Sequence, residues 1–195
     1  MERRTQRQPE GLLFFAAGLL LLLHHYFDWI VMRRLINTGY PDKHALDFIL
    51  FLAPLCFGYG ALRWYRGLED GRRSRAASFG IRAVCIASVA LGAAWFFAKW
   101  IYHSDIPWFV LLFYPGSLLL TAGLLLLLSA SRSPAARWTL VVLAAISLAY
   151  PIAPQLIAAA QGKAAGSEWK FALGTAYGAV MAVFGGTAFL RRFRH

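Results

Sequence analysis

Charge is scarce in this sequence, and so is any grouping of residues that would declare a soluble enzyme. Only 15% of its residues are charged, whereas soluble domains sit nearer about a quarter. Cysteine is reduced to Cys56 and Cys85. Both fall inside apolar runs, with neither a CxxC pair nor a Cys/His spacing, so no metal site is expected and the thiols read as small apolar packing groups. There is no Walker A loop, HExxH helix or dinucleotide-binding glycine fingerprint, and no cofactor is expected. Ser117, in the run YPGSLLL, has no histidine in a later apolar run to act as its base, which argues against a serine intramembrane protease. The few histidines also lack the paired placement on two helices that a bis-histidine haem requires.

What the chain has instead is apolar length. It is 59% hydrophobic, and its apolar runs alternate with short basic clusters, the pattern of a chain that uses the bilayer as solvent. Six runs qualify as spans: Gly11–Met32, Ala45–Trp64, Ile81–Tyr102, Pro107–Ser129, Trp138–Ala160 and Trp169–Leu190. Each is long enough to cross a ~30 Å hydrocarbon core at ~1.5 Å per residue. Continuous apolarity without period-2 alternation selects helices over barrel strands. The expectation is an all-α, polytopic transmembrane helical bundle of six spanning helices, one membrane domain over residues 1–195 with no room for a soluble domain. No cleavable signal peptide is expected, because the first run is too long and lacks a small-residue cleavage site.

The net charge of +11 would suggest nucleic acid in a soluble protein. Here most basic residues flank apolar runs, so nucleic acid is set aside and membrane lipids are the expected partners. With a cytoplasmic N-terminus, Arg3, Arg4, Arg7, Arg63, Arg66, Arg72, Arg73, Arg75, Arg82, Arg132, Arg137, Arg191, Arg192 and Arg194 lie inside. Arg33, Arg34, Lys43, Lys99, Lys163 and Lys170 lie outside. That imbalance predicts N-in and C-in, in a bacterial-type inner membrane. Trp29, Trp64, Trp100, Trp108, Trp138 and Trp169 stand near span ends, where a half-wet indole is favoured.

Ionisable residues collect in the first three spans. His24 lies 13 residues past Gly11, ~20 Å across the core, with Asp28 one turn further. Asp47 opens the second span, Lys99 closes the third, and His103 and Asp105 follow in the short loop HSDIP. All converge near the outer boundary. His24 and Asp28 share a helical face, as do Lys43 and Asp47, and Lys99 and His103. A carboxylate one turn from an imidazole makes a unit of a proton relay, or neutralises a buried acid. The first outer loop carries Arg33, Arg34, Asp42, Lys43 and His44, an unusual basic load for its side, which an anionic ligand or lipid headgroup would compensate. The bland alternative is that Asp28, Asp47 and Lys99 pair with one another and hold three helices together.

Gly174, Gly178, Ala182 and Gly186 recur every four residues in the last run. Such a face admits another backbone at close range, either inside the bundle, in a homo-oligomer through the sixth helix, or in a larger membrane complex. Pro54 in the second run, and Pro151 and Pro154 in the fifth, interrupt the central members of two three-helix halves, a pattern pointing toward inverted repeats.

The function these residues favour is a binding or transport protein with an outward-facing polar pocket between helices one to three, taking a small amphiphile, a lipid or a proton-coupled solute. The candidate ligand-binding or proton-relay residues are His24, Asp28, Arg33, Arg34, Lys43, Asp47, Lys99, His103 and Asp105. The alternatives are a membrane enzyme acting on a lipid-linked phosphate at the outer leaflet, and a non-catalytic accessory subunit. The orientation is tested by single-cysteine labelling in intact cells with an impermeant maleimide. Cysteines placed between Arg33 and His44, or at His103, should label from outside, and cysteines between Gly67 and Ser78 should not. The reverse pattern inverts the topology.

Overall fold

A computed structural model describes residues 10–26, 49–68, 73–101, 107–161 and 168–190. Among these residues the secondary structure is six helices and no strand. They are α1 (Glu10–Tyr26), α2 (Leu52–Arg66), α3 (Arg75–Phe96, continued by a π-helical turn, Phe97–Ile101), α4 (Pro107–Leu127, ending in a 3-10 turn, Leu128–Ala130), α5 (Pro134–Gln161) and α6 (Glu168–Leu190).

Helix ends and apolar ends differ, and the caps explain why. α3 begins at Arg75, ahead of the apolar run expected from Ile81, because the Ser74 side chain accepts a hydrogen bond from the Ala77 amide at 3.1 Å. That contact satisfies one of the amides left open in a first turn. Ser74 also meets Ser129 at 3.0 Å between their Oγ atoms, tying the start of α3 to the end of α4. α2 begins at Leu52, which moves Pro54 from the expected mid-span position into the first helical turn. A proline there removes an amide that has no helical partner in any case, so it interrupts nothing. Pro115 and Pro151 do sit within helices.

Each helix packs on its neighbours in sequence, and α6 returns to pack on α1. The six therefore form a closed ring of antiparallel neighbours. The most extensive contacts are α1 with α6 and α3 with α4, and both seams are lined by glycine. A Cβ on Gly18 would overlap the Ala182 amide nitrogen and stand 2.6 Å from the Gly178 carbonyl oxygen. A Cβ on Gly80 would stand 2.9 Å from the Gly123 carbonyl oxygen, and one on Gly123 would stand 2.9 Å from that of Gly80. No side chain fits in either place, and the helix axes come together because none is there.

Large apolar side chains face outward from the ring. Phe79 and Ile86 on α3, and Leu111, Leu118 and Leu125 on α4, are exposed at two-turn intervals, forming one outward face per helix. Three helical segments are long and apolar enough to cross a membrane: Arg75–Phe96, Leu111–Ala130 and Pro134–Ala153. Glu10–Tyr26 and Ala172–Ala188 are shorter apolar segments. Arg63, Arg66, Arg73, Arg75, Arg132 and Arg137 gather at one end of the ring, where α2 and α4 finish and α3 and α5 begin. There Arg73 donates to the Arg66 carbonyl at 2.7 Å.

The glycine face of α6 is used within the chain, against α1. Its register departs from strict four-residue spacing, since each such step drifts by roughly 40° on a 3.6-residue helix. By the last step Gly186 has turned away, with Phe15 ring atoms at an ordinary 3.5 Å, and Gly185 takes its place against the Phe15 amide and the Gly11 carbonyl. Gly18→Ala and Gly185→Ala are expected to destabilise by about 1–3 kcal/mol or more through overpacking. Gly186→Ala should stay within about 0.5 kcal/mol. Equilibrium unfolding in mixed SDS–detergent micelles would read the difference, and equal effects at 185 and 186 would reject this register.

Candidate functional site

Ring closure leaves a cavity of about 100 Å³, open on one side, to which all six helices contribute. Each helix supplies side chains from a single face. α1 gives Leu21 and His25, α2 Pro54 and Phe57, α3 Ser88, Leu91 and Trp95, α4 Phe113, Ser117 and Leu120, α5 Ser147 and Tyr150, and α6 Gly174, Tyr177 and Met181. Intervals of three, four and seven residues keep these groups on the inward stripe. The cavity lies toward the end of the ring opposite the arginine cluster, where α1 and α3 finish and α2, α4 and α6 begin.

The walls are mainly apolar and aromatic, and the polar groups among them are unevenly satisfied. Thr121, next to the cavity-lining Ser117 on α4, shows the ordinary solution. Its buried hydroxyl donates to the Ser117 carbonyl at 2.9 Å and reaches the Ala144 carbonyl at 3.4 Å. By contrast, the Ser88 and Ser147 hydroxyls and the Tyr177 phenol are buried with no hydrogen-bond partner among the described residues. Ser88 and Ser147 are only 2% and 5% exposed. Ser147 lies close to the Tyr177 phenol without meeting hydrogen-bond geometry. A buried hydroxyl left unpaired costs about 1–3 kcal/mol. Pro151 also lacks the amide that would bond the Ser147 carbonyl one turn back, so α5 carries both a hydroxyl and a freed carbonyl at this level.

His25 is the imidazole at the cavity among the described residues. Its imidazole presses on the α6 backbone at Gly174, where any Cβ would overlap the ring. His24, the histidine expected to act, points elsewhere. It is buried against Trp95, with ring centroids 5.8 Å apart, and lies 5.0 Å from the His25 ring. Adjacent residues on a helix diverge by about 100°, so only one of the pair can face the axis. Asp28, Arg33, Arg34, Lys43, Asp47, His103 and Asp105 lie outside the described residues. Lys99 falls in the π-helical turn after α3, with its side chain outside the described set. Among the described residues no carboxylate, lysine or arginine lines the cavity, and no three metal-ligating side chains group together.

A second, smaller cavity of about 40 Å³ lies toward the arginine end, lined among others by Phe14, Ala61, Trp64, Leu124 and Leu143. Phe57 and Met181 line both cavities and stand between them.

Sequence reasoning missed His25, Ser88, Ser147 and Tyr177. The signal that could have found them is helical phase: Ser88 and Trp95 seven apart, Ser147 and Tyr150 three apart, and Gly174 and Tyr177 three apart. The Gly174–His25 fit yields a direct test. Gly174→Ala should destabilise the protein, and His25→Ala should relieve much of that loss. The double-mutant coupling should fall at about 1–3 kcal/mol by SDS unfolding. Additive effects would mean the imidazole does not occupy the glycine's space.

Compared with known proteins, the chain matches no family model, no curated protein and no solved structure, and its site is read from its own geometry.

Proposed function

We propose that this chain is a multi-pass protein of a bacterial-type inner membrane, its six helices all spanning with N-in and C-in topology, and that its central cavity binds a small uncharged amphiphile or the polar group of a larger lipid. The observation that carries this reading is the convergence of three buried hydroxyls, from Ser88, Ser147 and Tyr177 on three different helices and unpaired among the described residues, on one cavity. Hydroxyls held out of water without a well-formed hydrogen bond favour a ligand that supplies oxygen or nitrogen to them. The absence of charged lining among the described residues favours an uncharged group, because an ion in a low-dielectric site requires a counter-charge. The aromatic walls at Phe57, Trp95 and Phe113 suit an apolar body. The volume sets the scale: an apolar cavity of about 150 Å³ accepts benzene, so this one, smaller and open on one side, holds part of a ring-sized group and leaves the rest at its opening.

The enzyme reading has less support, since a nucleophilic hydroxyl needs a base held by a third group, and no carboxylate lines the cavity among the described residues. No observation favours an accessory subunit.

Photolabelling tests the proposal. A six-carbon alcohol bearing a diazirine, irradiated with the protein in nanodiscs, should mark Tyr177, Tyr150 or Met181, located by peptide mass spectrometry. Cyclohexanone should protect these sites better than cyclohexane at matched membrane concentrations. Tyr177→Phe, Ser147→Ala and Ser88→Ala should each weaken cyclohexanone protection about two- to tenfold, the worth of one hydrogen bond, and should leave cyclohexane unaffected. The same substitutions should leave stability unchanged or raise it, because each removes an unpaired buried group. Labels confined to outward-facing residues such as Leu118 and Ile86 would overturn the binding site.

A further inference from the structure

We infer that the two three-helix halves, α1–α3 and α4–α6, are inverted repeats, and that the chain moves its ligand across the membrane by exchanging the conformations of the two halves. This rests on the binding site proposed above and adds transport to it.

The first support is direction. Each half has three helices, so corresponding helices of the two halves run in opposite senses through the ring. The second is packing. Exchanging α1 with α4, α2 with α5 and α3 with α6 turns the α1/α6 seam into the α4/α3 seam, and these are the two most extensive contacts in the molecule. The same exchange turns α1/α2 into α4/α5, which are of nearly equal extent. The third is register. Gly11 and Gly18 stand seven residues apart on α1, as Gly116 and Gly123 do on α4. Gly18 meets α6 at positions four apart, Gly178 and Ala182, while Gly123 meets α3 at positions four apart, Gly80 and Val84. Two seams that each set one glycine against positions four apart on the neighbouring helix are what a duplicated, inverted three-helix unit produces.

The two cavities then acquire a relation. An axis that exchanges inverted halves also exchanges the two ends of the ring. A perfectly symmetric ring would hold equal chambers at its two ends. Here the volumes are about 100 and about 40 Å³, so the two halves are packed differently in this structure. Swapping those arrangements enlarges the chamber on the arginine side and shrinks the other, with Phe57 and Met181 as the septum between them. The glycine-locked pairs α1/α6 and α3/α4 move as units, because backbone contacts of this kind have no side chains through which to yield. The adjustment falls to α2 and α5 between them, and α5/α6 is the least extensive contact in the ring.

Pulsed electron–electron distance measurements in nanodiscs test this, on a Cys56→Ala, Cys85→Ala background. One spin-labelled pair reports the ligand end, Leu52→Cys with Leu156→Cys. A second reports the arginine end, Arg63→Cys with Trp138→Cys. All four positions are exposed. The expected result is two distance populations at each end, separated by several ångströms, with the longer distance at one end matched in fraction by the shorter at the other. Adding cyclohexanone should shift the two ends in opposite senses. A single narrow population at both ends, with and without cyclohexanone, would overturn transport. So would ends that lengthen and shorten together. In either case, persistent photolabelling of Tyr177 would leave the binding site standing, whereas loss of that labelling would remove the site itself.

Discussion

The close approach of α6 to α1 is the contact on which the remaining structure depends. Lipid chains are as apolar as leucine, so helices in a bilayer gain little by hiding apolar surface from one another. They associate through tight van der Waals packing where small residues admit it. Gly18 against Gly178 and Ala182, and Gly185 against Phe15 and Gly11, supply such packing along α1. Because the last helix returns to the first, six antiparallel helices become a ring rather than a row. A row would leave the faces of Phe57, Ser88 and Ser147 to the lipid, and the ring gives them an interior.

The same seam shapes the chemistry of that interior. Gly174 continues the glycine face of α6 past the backbone contact, and the space it leaves is filled by the His25 imidazole. One run of small residues thus closes the ring and seats the imidazole at the cavity. Across the ring, Thr121 shows how a buried hydroxyl is silenced by two carbonyls of its surroundings. Ser88, Ser147 and Tyr177 are not silenced. Their cost to stability is the physical ground for reading the cavity as a place of recognition, since local rules are broken most often where function needs them broken.

Much of the architecture was legible along the chain. Apolar runs marked where helices would be, and the arginine clusters marked an end that the structure assembles from α2, α3, α4 and α5. Helix starts were less legible. The Ser74 cap and the first-turn placement of Pro54 follow from backbone hydrogen bonding, which continues past the apolar boundary at one helix and stops short of it at another. The expected site leaned on charge, at Asp28, Asp47 and Lys99, because charge is the loudest signal in an apolar sequence. Lone hydroxyls such as Ser147 give almost no signal there, since a serine can bond its own helix and face anything.

The sequence by itself therefore determined which segments are apolar enough to suit a membrane and the helical state of its backbone. Both are set by local quantities: apolar length, and the need of every amide in a bilayer to find a partner in its own segment. Tertiary structure alone decided which faces turn inward. Phase along each helix is readable from residue spacing, but the absolute rotation of a helix apolar on all sides is set only by what packs against it. The glycine seams of α1 with α6 and α3 with α4 set that rotation here, turning His25 inward and His24 toward Trp95, and bringing hydroxyls from three helices to one cavity.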